Sequence, residues 1–239
     1  MFCNLALTFT GVIFFASLLN LGLCSKPWDL LIFSQNWPTS VCDKWMQGRG
    51  NSCRQYPNNI WTVHGIWPTK LGTVGPGYCD NNNPFDSNVV RSIENEMDYY
   101  WTSIHIQGSK TGFWSHEWNK HGTCGTSIPQ LSNQAKYFKQ GLDWAKKYNM
   151  VAILGAAGIV PGQEYTVQNI NNGIKQVIKK NPQIVCYTNS KRQTSLLEVR
   201  LCFDKSLSLV DCDGTAVGKG SGNLLTNCRS NRVLYPRAN

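Results

Sequence analysis

The order of patterns along this chain implies an α+β domain: a mostly antiparallel sheet with helices packed around it, held by disulfides. Runs with strand character cluster near the two ends of the chain. Segments with helical periodicity fill the middle. An even set of cysteines follows an apolar leader.

Leu30-Leu-Ile-Phe-Ser-Gln-Asn-Trp37 is mostly apolar and is closed by Pro38, so it reads as the first strand. Cys42 to Cys53 brackets a short polar loop. Ile60 to Trp67 alternates aromatic or branched residues with others and reads as a central strand stopped by Pro68. Phe85 to Trp101 places Val89, Val90, Ile93, Met97 and Trp101 near helical spacing and predicts a helix. A second helix, Leu131 to Asn149, has Ala135, Phe138, Leu142 and Ala145 on one side and lysines on the other. Thr166 caps a third, which runs to Lys180 and is ended by Asn181-Pro182. Strand-like runs follow at Gln183–Thr188, Leu196–Asp204, Ser208–Asp213 and Arg232–Pro236. The Gly/Asn-rich stretches 72–83 and 214–223 read as loops.

Residues 1–25 carry no charged side chain and include Gly11-Val-Ile-Phe-Phe-Ala16, the pattern of a cleaved secretory signal peptide. The rival reading, an uncleaved anchor, is opposed by Asn4, Thr8, Thr10 and Asn20. Residues 26–239 then form a single domain, and no later window is apolar enough to span a membrane. Of the 10 cysteines, Cys3 and Cys24 fall in the leader. The even remainder suggests a disulfide framework in an oxidising lumen, secreted or lysosomal. Zinc is the alternative, but no CxxC pair is present. A net charge of +9 draws the domain to polyanions without choosing among nucleic acid, anionic lipid and glycan.

Two segments carry the chemistry. Phe113-Trp-Ser-His-Glu-Trp-Asn-Lys-His-Gly-Thr-Cys124 packs His116, Glu117, Lys120 and His121 together. Ile60-Trp-Thr-Val-His-Gly-Ile-Trp-Pro68 holds a further histidine, His64, and the whole chain has only 4. On a helix, His116 shares a face with Lys120, and Glu117 with His121, where Glu117 can orient or charge-stabilise that imidazole. His116 and His121 then lie roughly 140° apart around the axis. A zincin needs His-Glu-x-x-His; here the second His comes one place later, so no metal is assigned. Two separated histidines in a basic, disulfide-bonded domain suit transphosphorylation of RNA. One removes the ribose 2′-hydroxyl proton, the other protonates the leaving 5′-oxygen, and a cation steadies the transition state. DNA, lacking the 2′-hydroxyl, cannot react.

Both segments resemble the paired active-site motifs of the ribonuclease T2 family, animal secreted or lysosomal members in particular. The resemblance extends through Asn36-Trp37-Pro38, the cysteine spacing and the helical middle. It implies an endoribonuclease that acts on single-stranded RNA as a monomer, with no cofactor, through a 2′,3′-cyclic phosphate. His64 is implied as general acid and His121 as general base. His116 binds phosphate, and Glu117 with Lys120 stabilises the charged transition state. The implied disulfides are Cys42 with Cys53, Cys79 with Cys124, Cys186 with Cys228, and Cys202 with Cys212. Trp67 and Phe113 are expected either to stack on bases or to serve as core. His105 matches no motif and reads as a surface or structural residue. Family members are often N-glycosylated, but this chain has no sequon: Asn51-Ser-Cys and Asn189-Ser-Lys set the hydroxyl one place too early. Two alternatives stay open, a non-catalytic ribonuclease-like ligand and a metal-dependent hydrolase. Loss of a catalytic His would mark the first, and activity surviving EDTA would exclude the second.

Overall fold

The computed structural model describes residues 27–106, 109–216 and 225–238. The expected leader, 1–25, lies outside them. One sheet runs through the described residues. Its strands are β1 (Leu30–Asn36), β2 (Thr62–Thr69), β3 (Gln163–Thr166), β4 (Gln183–Thr188), β5 (Thr194–Phe203), β6 (Leu209–Val210) and β7 (Arg232–Tyr235). The path is β2-β1-β5-β7-β3, with β4 and β6 also pairing with β5. Among the named strands every pairing is antiparallel except β5 with β7, where Ser195 meets Leu234 in parallel; an isolated parallel bridge also joins Ile184 to Thr226. β5 is the central rail, and β1 beside it is buried along its whole length. Hence both read as near-continuous apolar runs.

Several boundaries differ from the sequence pattern, each for a local reason. Pro38 does not merely close β1: it opens a helix, α1 (Pro38–Trp45), at a first-turn position where a missing N–H costs nothing. The expected polar loop from Cys42 therefore begins as helix, as far as Trp45. β2 runs on through Pro68 and is an edge strand, not a central one. An edge tolerates proline. Segment 87–100 starts as a 3₁₀ turn, Ser87–Ile93, capped by the Asp86 carboxylate, and only then becomes α2 (Glu94–Tyr100). The helix α4 (Gln134–Lys147) starts later than its apolar pattern, because Asn133 accepts from the Lys136 N–H and fixes the start. α5 (Met150–Gly155) and β3 were not anticipated. α6 (Val167–Ile178) is capped by Thr166 as expected and ends at Lys179 in the left-handed region, φ 60°.

α3 (Lys110–Lys120) is the site-bearing helix. Ser109 caps it, and Trp114, Glu117 and Trp118 form its buried stripe. It stops at Lys120, and a 3₁₀ turn (Gly122–Cys124) follows. A Cβ at Gly122 would lie 2.3 Å from the Trp118 ring, so only glycine lets the chain fold back there. Behind the sheet one continuous core joins Phe33, Trp37, Trp101, Trp114, Trp118, Tyr137, Phe138 and Tyr235, all fully buried. The outer edge of β2 is not left open. The Tyr137 hydroxyl donates to the Ile66 carbonyl (3.0 Å) and accepts from its N–H, while Trp101 Nε1 donates to the His64 carbonyl (3.0 Å). Such coverage removes a free strand edge. Disulfides join Cys42–Cys53, Cys79–Cys124, Cys186–Cys228 and Cys202–Cys212, the pairing that the resemblance implies.

Candidate active site

His64 owes its aim to an irregularity in β2. Ser34 of β1 pairs with Gly65 and the next residue, Gln35, pairs with Val63, so His64 has no cross-strand partner. Such a bulge turns a side chain away from the ordinary pleat and is frequent beside active sites. The ring then faces the C-terminal half of α3. Gly65 makes room for the meeting: a Cβ there would lie 2.0 Å from Glu117 Oε2 and 2.3 Å from Trp67 Nε1.

The expected residues meet in one cleft. His64, Trp67, His116, Glu117, Lys120 and His121 line it together. Trp67 stands in the middle, its ring 4.9 Å from that of His64 and 5.4 Å from that of His121. The rings of His116 and His121 are 6.3 Å apart. They are not spread around a helix, because His121 is the capping residue after the last turn. Glu117 is almost fully buried. It accepts a 2.9 Å hydrogen bond from Trp67 Nε1 and lies 3.9 Å from His64 Nε2. Its hydrogen bond thus goes to Trp67, not to His121, which corrects the expectation that it orients that imidazole. His121 Nδ1 is buried without a hydrogen-bond partner among the described residues, so Nε2 is the nitrogen left for a ligand.

Electrostatics push the two imidazoles apart. Burial drives His121 down to about 3, helped by the charges of Lys120, His64 and His116, so it is neutral at ordinary pH. Burial also works to lower His64. The charge and hydrogen bond of Glu198 and the charge of Glu117 outweigh it, against a smaller opposing push from Arg200, and His64 ends raised. Burial lifts Glu117 to about 7 despite His64, Trp67 and Lys120. Burial and then Lys120 lower His116. Paired groups with opposed shifts are the mark of an acid and a base sharing one site.

Two residues of the cleft carried no assignment from the sequence, and a third, His105, was assigned only a surface or structural place. Glu198 on β5 takes the His64 Nδ1 hydrogen bond at 2.8 Å, and Arg200 lies 4.9 Å over the Trp67 ring. The available signal was a Glu and an Arg two apart, on one strand face, inside the apolar run Leu196–Phe203. His105 is the third. It stacks on Trp45 with ring centres 4.0 Å apart and lines a second pocket with Asn36, Ile104 and Phe113. His64 lines this pocket too, so its ring is the wall between two chambers. Phe113 faces that second chamber, 5.9 Å from His64. Trp67 is half-buried in the cleft wall, with Arg200 4.9 Å over its ring and the His121 ring 5.4 Å away.

His116, Glu117 and His121 also bring potential ligand atoms within 4.8 Å of one another. Spacing alone therefore does not dismiss a metal, and chelation is the test that decides it.

Known proteins share this architecture. Ribonuclease Oy of Magallana gigas is 34% identical over 219 residues, covering 88% of this chain and 97% of the relative. Extracellular ribonuclease LE of Solanum lycopersicum is 36% identical over 191 residues, covering 79% of this chain and 82% of its own. The crystal structure of RNase NT in complex with 5′-AMP superposes with a TM-score of 0.74 at 29% identity, covering 88% of this chain and 99% of that one. The Ribonuclease T2 family profile matches residues 28–212, a span that holds both histidine segments and the β5 carboxylate: the chain belongs to the ribonuclease T2 family of endoribonucleases.

Proposed function

We propose that this endoribonuclease is secreted, acts as a monomer without metal, and cleaves single-stranded RNA through a 2′,3′-cyclic phosphate. His121 Nε2 removes the 2′-hydroxyl proton. The 2′-oxygen attacks phosphorus, the bond to the 5′-oxygen breaks, and His64 Nε2–H protonates that oxygen as it leaves. Lys120, His116 and the Glu117 site stabilise charge on the phosphorane-like transition state. One observation carries the reading: in one cleft two imidazoles sit 4.9 and 5.4 Å from the Trp67 ring, one held neutral and the other biased toward the cation. Secretion is supported by the leader pattern and by four disulfides, which suit an oxidising lumen.

The leaving nucleoside departs on the side of the acid, so the chamber beyond His64 is its seat. There Phe113 and the His105–Trp45 stack offer aromatic faces, which are worth about 1–3 kcal/mol per stacked base. Trp67 is assigned no base; it supports Glu117 and the two imidazoles.

The test is digestion of single-stranded RNA in EDTA, with the ends checked for cyclic phosphate. Activity is expected to persist, with a bell-shaped pH profile whose acid limb belongs to His121 and whose alkaline limb to His64. His64→Ala and His121→Ala should each lose about 10²–10⁴-fold in kcat. EDTA-abolished cleavage, or a folded His121→Ala protein as fast as the parent, would overturn the mechanism.

A further inference from the structure

Glu198 is 5% exposed, and every oxygen of its carboxylate is spoken for. Oε1 faces His64 Nδ1 at 2.8 Å. Oε2 accepts from Arg200 Nε (2.8 Å), Arg200 Nη2 (2.6 Å) and Ser34 Oγ (3.2 Å). A buried carboxylate is costly unless such donors surround it. Here they arrive from two strands at the register position that faces the bulge: Asn36 pairs with Glu198, and Ser34 with Arg200. β5 is irregular at the same point, pairing Val185 with Glu198 and Cys186 with Leu196, so that Leu197 has no partner on β4. Two interrupted ladders thus converge on one carboxylate–imidazole contact.

We propose that Glu198, clamped by Arg200 and Ser34, is the positioning residue of His64: it takes the Nδ1 hydrogen bond, turns Nε2–H toward the leaving oxygen and keeps the ring cationic until transfer. The assignment rests on the mechanism above for its catalytic consequence, but not for the contact itself. Other charged or titratable groups face the ring as well. From α3 and its end come His116, Glu117, Lys120 and His121; from β5, Arg200; from the second chamber, His105 and Lys44. Glu198 differs from Glu117 among these because it makes the direct 2.8 Å bond, while Glu117 Oε1 stands 3.9 Å from Nε2. Burial works against ionisation of Glu198, yet His64 and Arg200 overcome it and hold the carboxyl well below the usual range. It is therefore an anion whenever His64 has work to do.

The test uses Glu198→Gln, which keeps shape and removes charge. Nitrogen-15 NMR of the histidine rings is expected to show the His64 titration lowered by about one pH unit or more, since a close opposite charge shifts a pKa by about 1–3 units. His116 and His121 should hardly move. The alkaline limb of kcat for RNA cleavage should fall by the same interval, with KM little changed. Glu198→Asp, which keeps the charge, should restore that limb while leaving kcat reduced. An unmoved His64 titration in folded Glu198→Gln overturns the proposal. If that variant does not fold, the parent decides it: His64 must titrate above the other histidines and carry its proton on Nδ1 in the neutral form, and failure of either defeats the assignment. If the NMR shift occurs but the parent cleaves no RNA in EDTA, the proposed mechanism fails and the Glu198 contact stands.

Discussion

Glu117 is a carboxyl taken out of water with one close donor, Trp67 Nε1. Its pKa rises from 4.5 to about 7, mainly through burial. Below the lower value the group is neutral in folded and unfolded chains alike. Between the two, only the unfolded chain gives up the proton. The stability associated with the neutral buried form is thus present at low pH and is lost as pH rises. Glu117→Gln has no proton to lose. Relative to the parent it should gain on the order of 2–3 kcal/mol between about pH 5 and pH 8 in urea unfolding. Parallel pH curves for the two proteins would show that the buried carboxyl costs nothing. If Glu117 acts on the phosphate as proposed, the same substitution should also lower kcat.

At the scale of elements, the site is built where regular structure breaks. β2 bulges at His64, α3 ends at His121, and glycines at 65 and 122 let side chains close over the backbone. Gly65→Ala puts a methyl against the Glu117 carboxylate and the Trp67 indole. It should cost about 1–3 kcal/mol by crowding and lower kcat about 10²-fold through misplacement of the order of 1 Å, measured on a protein that still melts cooperatively. Full activity in this variant would mean that the Glu117–Trp67–β2 contact is dispensable. These breaks also explain what could and could not be read from the amino acids. The residue types at 61–68 and 113–124 announced the chemistry, and Thr166 announced a helix start. The bulge was not legible, because a register shift is a property of two strands and only one is visible at a time. Pro38 was ambiguous between stopping a strand and starting a helix, and it does both. Glu198 and Arg200 drew no assignment within the strand-like run Leu196–Asp204, since nothing local revealed that the opposite wall was a histidine. β3, four half-exposed residues, carried too little apolar pattern to register.

At the scale of the whole molecule, a net charge of +9 surrounds a cleft that must hold a polyanion. Cys79–Cys124 ties the turn just past His121 to the loop after β2, so one cross-link braces both histidine segments. The aromatic core behind the sheet gives them a rigid backing. Across this frame His64 divides the cleft into two chambers, and that division has a consequence for the order of events. In the proposed mechanism, chain scission would send a nucleoside past His64, toward Phe113 and His105. Opening of the proposed cyclic product would need only water in that place. Phe113→Ala should therefore slow dinucleotide cleavage several-fold, about the loss of 1 kcal/mol or more of stacking, and leave hydrolysis of a nucleoside 2′,3′-cyclic phosphate nearly untouched; equal slowing of both would place the ring elsewhere in the chemistry. A partition made of imidazole lets the far room choose which linkages are severed while it takes no part in how the fragment is finished.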